Sequence, residues 1–332
     1  MTQKKKLHPL AWVFIIAVLL VAVTFLIVYA VGVRYINDET HELKFLGRVK
    51  DGVPYSGKVY YYDGRVAELD AETKTLEVEG GEKYVGALSG YLPHGKGTLT
   101  KADGTLFEGD FYEGYCTGNA TITYSNGDIY IGSVDHETRT GSGKYIKKDG
   151  TVYEGSFFEG EKDGFGVTKF PDSSVYIGEY KKGIKDGKGA YLFEGGDIYI
   201  GDFKEDKRTG QGIYVWSKSE EYSSEFETLF NVTMTDEFKS GFLAYFEGDF
   251  ARHFLEANVT EATTQNEFFK GFEAIMLRSQ LECYVGEFSE NQLSGNGKYR
   301  WLSGRVYSGT FENGAIPKEA LEPETAENAD GE

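Results

Sequence analysis

The sequence predicts an all-β fold: an elongated, single-layer solenoid of stacked antiparallel β-hairpins, preceded by one N-terminal transmembrane α-helix. Three observations support this prediction. An aromatic-x-Gly triplet recurs at intervals of 23 residues, Gly and aromatic residues are abundant (43 Gly, 24 Tyr and 23 Phe against 6 Pro), and one uncharged run near the N-terminus is long enough to cross a bilayer. A fixed short period is typical of one supersecondary unit stacked on copies of itself.

The first predicted element is the uncharged run of 24 residues from Leu10 to Val33, which spans about 36 Å as a helix. A basic tail, residues 1–9, precedes it and contains three consecutive lysines from Lys4 to Lys6. A cleaved signal peptide is the alternative, but its apolar region normally has only about 7 to 15 residues. We therefore expect an uncleaved single-pass membrane anchor. The clustered lysines favour a cytoplasmic N-terminus, with the repeats outside, in the periplasm or in a lumen.

Two segments connect the anchor to the regular repeats. Residues 34–54 are predicted to be a juxtamembrane linker, and residues 55–83 a degenerate first repeat or cap. Tyr55-Ser56-Gly57 has the pattern of the triplet, but the step from Tyr55 to Tyr84 is 29 residues. A divergent unit is expected here because the outermost hairpin has a neighbour on one side only.

The regular repeats are predicted over residues 84–216 and 283–315. In Tyr153-Glu154-Gly155-Ser156-Phe157, alternate residues share one face, which predicts a half-buried strand. A second strand with a Gly-x-Gly pattern follows and completes the hairpin. Its glycines leave a gap beneath the neighbouring aromatic rings. The triplets begin at Tyr84, Phe107, Tyr130, Tyr153, Tyr176, Tyr199, Tyr284 and Tyr307.

This pattern resembles the MORN repeat family. The segment Tyr176-Ile177-Gly178-Glu179-Tyr180, then Gly183, Gly187-Lys188-Gly189 and Gly195, matches the family's unit throughout. The chain departs from the pattern at Ala120, which replaces the second glycine of its repeat, and at Ser173. The resemblance implies a hairpin array that assembles proteins and, in some members, associates with membranes or phosphoinositides.

The 23-residue spacing of the triplets is not kept between residues 217 and 282. A triplet at Phe246 predicts a repeat start at residues 246–250, flanked by two related insertions at 217–244 and 251–282. Residues 267–278 are predicted to form an amphipathic helix that either covers the edge of the solenoid or binds a partner. Residues 316–332 are rich in Glu, Ala and Pro, which predicts an acidic disordered tail.

Charge and motif content exclude several function classes. The net charge is −18, and residues 1–34 hold only positive charges, so the acidic remainder is expected to repel nucleic acid and anionic lipid. Lipid-headgroup binding is therefore a minor alternative. Cys116 and Cys283 are interpreted as structural or free thiols. The five histidines are scattered, and no nucleophile, base and orienting group are recognisable. We expect no enzymatic activity, no catalytic or metal-binding residue and no cofactor.

The sequence thus predicts a non-enzymatic, membrane-anchored scaffold or adaptor that binds an unknown protein partner beside the membrane. The alternative is a cell-surface glycan-binding module, because columns of Tyr and Trp can stack on sugar rings. The simpler interpretation of the same rings is that they belong to the core. The candidate interaction surface consists of eight aromatic residues: Tyr214, Trp216, Phe238, Phe242, Phe268, Phe272, Tyr299 and Trp301.

Overall fold

The structure, a computed structural model, describes residues 9–217, 220–247, 266–279 and 281–318. These residues form 20 strands and four α-helices, and every strand pairing is antiparallel within a meander of hairpins. The chain divides into two compact units, Met1–Gly127 with Val134–Glu137, and Asp128–Ser133 with Thr138–Glu332. The predicted stacking of antiparallel hairpins is confirmed.

Helix α1 (Pro9–Ala30) is the predicted N-terminal apolar helix. Its segment Leu10–Ala30 has a mean hydropathy of 3.1, and within the described residues it is the one helix long and apolar enough to cross a membrane. The predicted end at Val33 is wrong, because Val33 already pairs with Arg48 in a strand. Gly32, at φ +83°, turns the chain from the helix into that strand.

The first unit contains more strands than the sequence predicts. Residues 34–54 are not a linker, because they form two paired strands whose Leu43 and Phe45 are fully buried. Residues 55–83 form most of three further strands rather than one degenerate hairpin. The strands are β1 (Val33–Asp38), β2 (Leu43–Lys50), β3 (Val53–Tyr61), β4 (Val66–Asp70), β5 (Thr75–Val78), β6 (Glu82–Ser89), β7 (Leu92–Thr100), β8 (Leu106–Tyr112) and β9 (Tyr115–Thr123).

The second unit contains the later repeats, and β10 contributes residues to both units. Its hairpins keep one register: Gly155 lies opposite Gly166, and Gly178 opposite Gly189, with a β-bulge following each pair. The strands are β10 (Ile129–Asp135), β11 (Thr138–Ile146), β12 (Val152–Phe158), β13 (Glu161–Lys169), β14 (Val175–Lys181), β15 (Ile184–Leu192), β16 (Ile198–Lys204), β17 (Lys207–Trp216), β18 (Glu282–Ser289), β19 (Gln292–Arg300) and β20 (Val306–Phe311).

The insertion interrupts the sequence but not the sheet. β17 pairs directly with β18, with Gly212 opposite Gly286 and Tyr214 opposite Tyr284. The intervening chain contributes helices α2 (Glu220–Phe230), α3 (Asp236–Ala244) and α4 (Glu267–Ser279). Phe246 does not start a strand, since it lies in a 3-10 helix, Tyr245–Glu247, that continues from α3. The prediction of a repeat start at Phe246 is therefore wrong; residues 248–265 lie outside the described residues.

The helices of the insertion pack on one face of the sheet. We name the face that carries the first residue of each triplet the tyrosine face, and the other the reverse face. Between β13 and β18 the reverse face is apolar, and it forms one buried cluster with aromatic residues of all three helices. Phe242 of α3, for example, meets Phe165 of β13 edge-on at 5.3 Å between ring centroids. Burial of apolar surface therefore holds the insertion on the sheet.

Candidate functional site on the tyrosine face

Buried aromatic rings form the base of the tyrosine face. In the triplets that begin at Tyr153, Tyr176, Tyr199, Tyr284 and Tyr307, the tyrosine meets the aromatic residue four positions later edge-to-face, and that second ring also meets the preceding repeat. Tyr153, for example, lies 5.1 Å from Phe157 and 5.3 Å from Tyr180. The same contact joins the repeats on either side of the insertion, with 5.0 Å between Tyr199 and Phe288. These geometries are favourable for aromatic pairs.

Glycines make room for these rings, as the sequence predicts. A Cβ at Gly189 would lie 2.6 Å from both Cε2 and Oη of Tyr176. The Tyr176 hydroxyl donates to the Glu179 carbonyl at 3.0 Å, which fixes the ring flat against the strand. The repeat with Ala120 instead of a second glycine begins with Phe107, which lacks this hydroxyl. The glycine and the tyrosine of a repeat therefore form one packing unit.

A second set of rings lies half-buried beside this base, and we name it the aromatic strip. Tyr191, Tyr214 and Tyr299 lie opposite the buried tyrosines across the strand pairs. Ring centroids are 4.7 Å apart for Tyr214 and Trp216, and 5.2 Å for Trp216 and Tyr299. The aromatic strip consists of Phe170, Tyr191, Phe193, Tyr214, Trp216, Tyr299 and Trp301, each within 6.1 Å of the next ring centroid.

Four cations follow each other at intervals of 23 residues on the same face. This basic column consists of Arg139, Lys162, Lys185 and Arg208, one from each of β11, β13, β15 and β17. Each lies within 5.9 Å of the centroids of at least two aromatic rings. Lys162 Nζ is 4.5 Å from the ring centroid of Tyr153, and the Arg208 guanidinium is 5.0 Å from that of Tyr214. Cation–π attraction thus places positive charge along an otherwise acidic protein.

The charge of Lys162 is the least compensated in this column. Burial and, after it, the neighbouring positive charges of Lys147, Lys185 and Arg139 lower the pKa of Lys162 to about 8, although the Asp206 carboxylate acts in the opposite direction. Within the described residues Lys162 makes no ion pair, whereas Lys185 lies 3.2 Å from Asp206. Arg208 donates to the carbonyl of Asn291 at 2.8 Å. The positive charge of Lys162 is therefore only partly compensated.

The structure separates the eight predicted site residues into two groups. Tyr214, Trp216, Tyr299 and Trp301 lie together in the aromatic strip. Phe242, Phe268 and Phe272 are instead buried in the cluster between the insertion and the reverse face, so they cannot form an accessible surface. Phe238 packs partly buried against that cluster. The helix predicted at residues 267–278 is present as α4, but it covers a face of the sheet rather than its edge.

The sequence prediction omitted the basic column and the docking face of the insertion. The signal for the column was the 23-residue interval between its cations. The signal for the docking face was a run of apolar residues alternating with the tyrosine-face residues, such as Ile177, Ile200 and Val285. Both signals depend on where a residue type stands within the repeat. The total charge and the total hydrophobicity of the chain do not show them.

The two cysteines and the acidic groups contribute no reactive site to this face. Cys116 and Cys283 are both free and buried. Burial raises the pKa of the Cys116 thiol to about 11 and also raises that of Cys283, which keeps both protonated and unreactive at neutral pH. Among the described residues no group of three or more His, Cys, Asp and Glu side chains is arranged to hold a metal ion.

Comparison with known proteins identifies the repeat. The family model for the MORN repeat matches residues 84–106, 107–129, 130–152, 153–175, 176–198, 199–220 and 284–304. Six of these matches are consecutive, and the seventh resumes at Tyr284, where β18 rejoins the sheet. The comparison with curated proteins gives no match.

Solved structures give weaker likenesses. The SAS-4 (dCPAP) TCP domain of Drosophila melanogaster, in complex with a proline-rich motif of Ana2 (dSTIL), is 13% identical over 85% of this chain and 92% of that chain, with a TM-score of 0.27. The wild-type TCP10 domain of Danio rerio CPAP is 18% identical over 52% of this chain and 89% of that chain, with a TM-score of 0.25. Scores of this size assign neither a fold nor a partner.

Proposed function

Because the chain belongs to the MORN-repeat family, we propose that it is a non-enzymatic scaffold or adaptor, anchored in a membrane by α1, that binds another protein through its tyrosine face. The observation that supports this most is the side on which the insertion docks. The helices cover the reverse face between β13 and β18 and leave the aromatic strip and the basic column half-exposed. The array therefore retains one continuous face for a partner.

The anchor is part of this proposal. The side chains of α1 are uncharged and mostly exposed, as expected of a helix surrounded by lipid. Beyond the helix, the Arg34 guanidinium lies 3.7 Å from the ring centroid of Tyr29 and donates to its carbonyl at 2.9 Å. An aromatic ring and a cation at a helix end are typical of a membrane interface. The proposed orientation has a cytoplasmic N-terminus and repeats outside, in the periplasm or in a lumen.

Two measurements test the anchor. An uncleaved anchor predicts that the chain stays in the pellet after alkaline carbonate extraction and retains its N-terminus. The proposed orientation predicts that protease added to intact cells or spheroplasts digests the repeats. Release of a shortened chain into the supernatant would indicate a signal peptide, and protection of the repeats would reverse the orientation.

Crosslinking of the full chain in native membranes, followed by mass spectrometry, tests the scaffold role. The proposal predicts adducts between tyrosine-face residues and a second protein. Crosslinked peptides from this chain alone, at a crosslinker density that captures known membrane complexes, would contradict it. A variant with α1 replaced by an unrelated membrane helix is the matched control, because it keeps the location and should keep the adducts.

The aromatic strip favours a second candidate, a module that binds cell-surface glycan. Half-exposed Tyr214, Trp216, Tyr299 and Trp301 present neighbouring rings on which sugars can stack. Co-sedimentation of the detergent-solubilised chain with cell-wall material separates the candidates. Firm pelleting that excess soluble glycan abolishes would favour the glycan module over the protein scaffold.

A further inference from the structure

The aromatic strip and the basic column repeat at the same interval along the sheet. Tyr191 and Tyr214 of the strip are one repeat apart, as are Lys185 and Arg208 of the column. Each repeat adds two antiparallel strands, so equivalent side chains recur about every 9.6 Å, which is two strand spacings of about 4.8 Å. A ligand that crosses the strands therefore meets one cation at each of β11, β13, β15 and β17 and one ring pair at each of β15, β17 and β19, in steps of about 9.6 Å.

The two features are also adjacent. The Arg208 guanidinium lies 5.6 Å from the ring centroid of Phe193 and 5.0 Å from that of Tyr214. Lys185 Nζ lies 5.4 Å from the ring centroid of Tyr191. In these two repeats one ligand can contact a ring and a cation at the same time. The required ligand carries regularly spaced negative charge beside regularly spaced apolar groups.

A polyproline II helix has this spacing. It contains three residues per turn and rises about 3.1 Å per residue, so every third side chain recurs on one edge at about 9.3 Å. Proline-rich segments of this conformation bind to aromatic-lined surfaces because the helix is preformed and loses little entropy. Acidic residues at every third position would meet the cations, and the intervening prolines would meet the rings.

We propose that the tyrosine face between β11 and β19 binds an acidic, proline-containing segment of a partner protein in the polyproline II conformation, lying across the strands. This inference rests on the proposed scaffold function and names the chemistry of its partner. The charge of the ligand complements the basic column, in which Lys162 has no ion pair among the described residues. The net charge of −18 disfavours nucleic acid and anionic bilayers, whose charge density is much higher.

The uncompensated lysine gives independent support. A cation among like charges lowers the stability of the folded state, and proteins retain such groups where function uses them. Lys162 makes no ion pair within the described residues, and the Asp206 carboxylate, which pairs with Lys185, offsets only part of the like charge around it. An acidic ligand would supply the missing counter-charge.

The test measures peptide binding to the full chain in detergent by fluorescence anisotropy. The probe is a labelled peptide of five Glu-Pro-Pro units. Its control has the same composition with the five glutamates in one block, so that total charge is equal and only spacing differs. The periodic peptide is expected to bind about tenfold more tightly, because only its spacing lets four of its five glutamates each meet one of the four cations. Equal affinities would overturn the proposal, since they would indicate unspecific attraction.

A pair of double variants locates the binding surface. Lys162→Gln with Lys185→Gln removes two cations of the column, and we expect the periodic peptide to bind about tenfold more weakly. Lys181→Gln with Lys204→Gln is the matched control, because it removes the same charge at the same 23-residue interval from exposed positions on the reverse face. This control should change affinity less than about twofold. Equal losses in both variants would contradict the assigned surface. Circular dichroism melting of both variants checks that they fold.

Two further outcomes assign the ligand class. The double variant Lys162→Gln with Lys185→Gln is named the column variant. If polygalacturonate binds more tightly than the periodic peptide, and the column variant loses this binding, the ligand is an acidic glycan and the peptide assignment is overturned. Failure of all peptides to bind would overturn this inference while leaving adducts with a second protein in native membranes unaffected. Absence of those adducts would instead overturn the scaffold function itself.

Discussion

The reverse face of the repeats has two different environments, although the same triplet recurs on the tyrosine face opposite both. At the position after the first aromatic residue of the triplet, Glu108 and Glu154 are exposed, and Ile131 is 49% exposed. At the same position beneath the insertion, Ile177 and Ile200 are 0% exposed. The triplet and its glycines thus build the sheet, whereas the reverse-face residue determines whether another element docks on it.

Removing the insertion should produce the largest difference in behaviour between the two environments of the reverse face. Replacing residues 218–281 by an Asn-Gly turn keeps the pairing of β17 with β18, but it exposes the apolar reverse face between β13 and β18. We expect a folded sheet that self-associates in size-exclusion chromatography and binds the dye ANS. The same deletion with Ile177→Thr, Ile200→Thr and Ile213→Thr should restore a monodisperse chain. A deletion variant that is monodisperse and binds no dye would show that the insertion is not a cap.

A methyl group in the glycine gap should be among the costliest single changes. Gly189→Ala places a Cβ 2.6 Å from atoms of the Tyr176 ring, which has no room to move, and we expect a loss of about 3 kcal/mol in the free energy of unfolding. Urea denaturation measures this loss. Gly195→Ala is the control, since no atom lies within 4 Å of its added Cβ and its φ is not positive. A similar loss in both variants would refute the packing role of the gap.

Truncating the same residue type in the two environments tests the comparison itself. Ile200→Ala, beneath the insertion, should cost about 3 kcal/mol of unfolding free energy, because it removes buried methyl groups and leaves a cavity. Ile131→Ala, at the equivalent exposed position, should cost less than about 0.5 kcal/mol. Chemical denaturation of both variants gives the difference. Equal costs would mean that the helices do not cover Ile200 in solution.

Neutralising the buried lysine should give the smallest effect, with the opposite sign. The pKa of Lys162 falls from 10.5 to about 8 on folding, so the folded state disfavours its charge. Lys162→Met should therefore stabilise the protein by about 1 kcal/mol at pH 7 after allowance for solvent screening. The gain should be complete below pH 8, where the lysine is charged in both states, and should shrink between pH 8 and 10.5 as only the folded state loses its proton. Thermal unfolding across this pH range measures it; destabilisation at pH 7 would show that the charge is compensated.

Local repetition made much of this fold predictable. The 23-residue interval predicts the strands and the glycine gap because both depend on contacts between neighbours in sequence. The two strands in residues 34–54 lack the triplet and were missed, although Leu43 and Phe45 alternate with Lys44 in the period of a strand.

Long-range contacts limited the prediction of the site. Phe242 and Phe268 are recognisable as apolar residues of helices, but nothing local indicates that they pack on strands β13 to β18. Their prediction as a surface was wrong because the apolar reverse face of the sheet buries them. Tyr214, Trp216, Tyr299 and Trp301 were grouped successfully, since their positions within the repeat are equivalent.

Site-specific photo-crosslinking in native membranes tests most directly whether the tyrosine face is the binding surface. A benzophenone side chain at Trp216 lies in the aromatic strip, and one at Leu277, which is 38% exposed on α4, lies on the insertion. We predict an adduct with a second protein from position 216 that the column variant Lys162→Gln with Lys185→Gln weakens, and none from position 277. An adduct from position 277 with none from position 216 would contradict the account and identify the insertion as the binding surface.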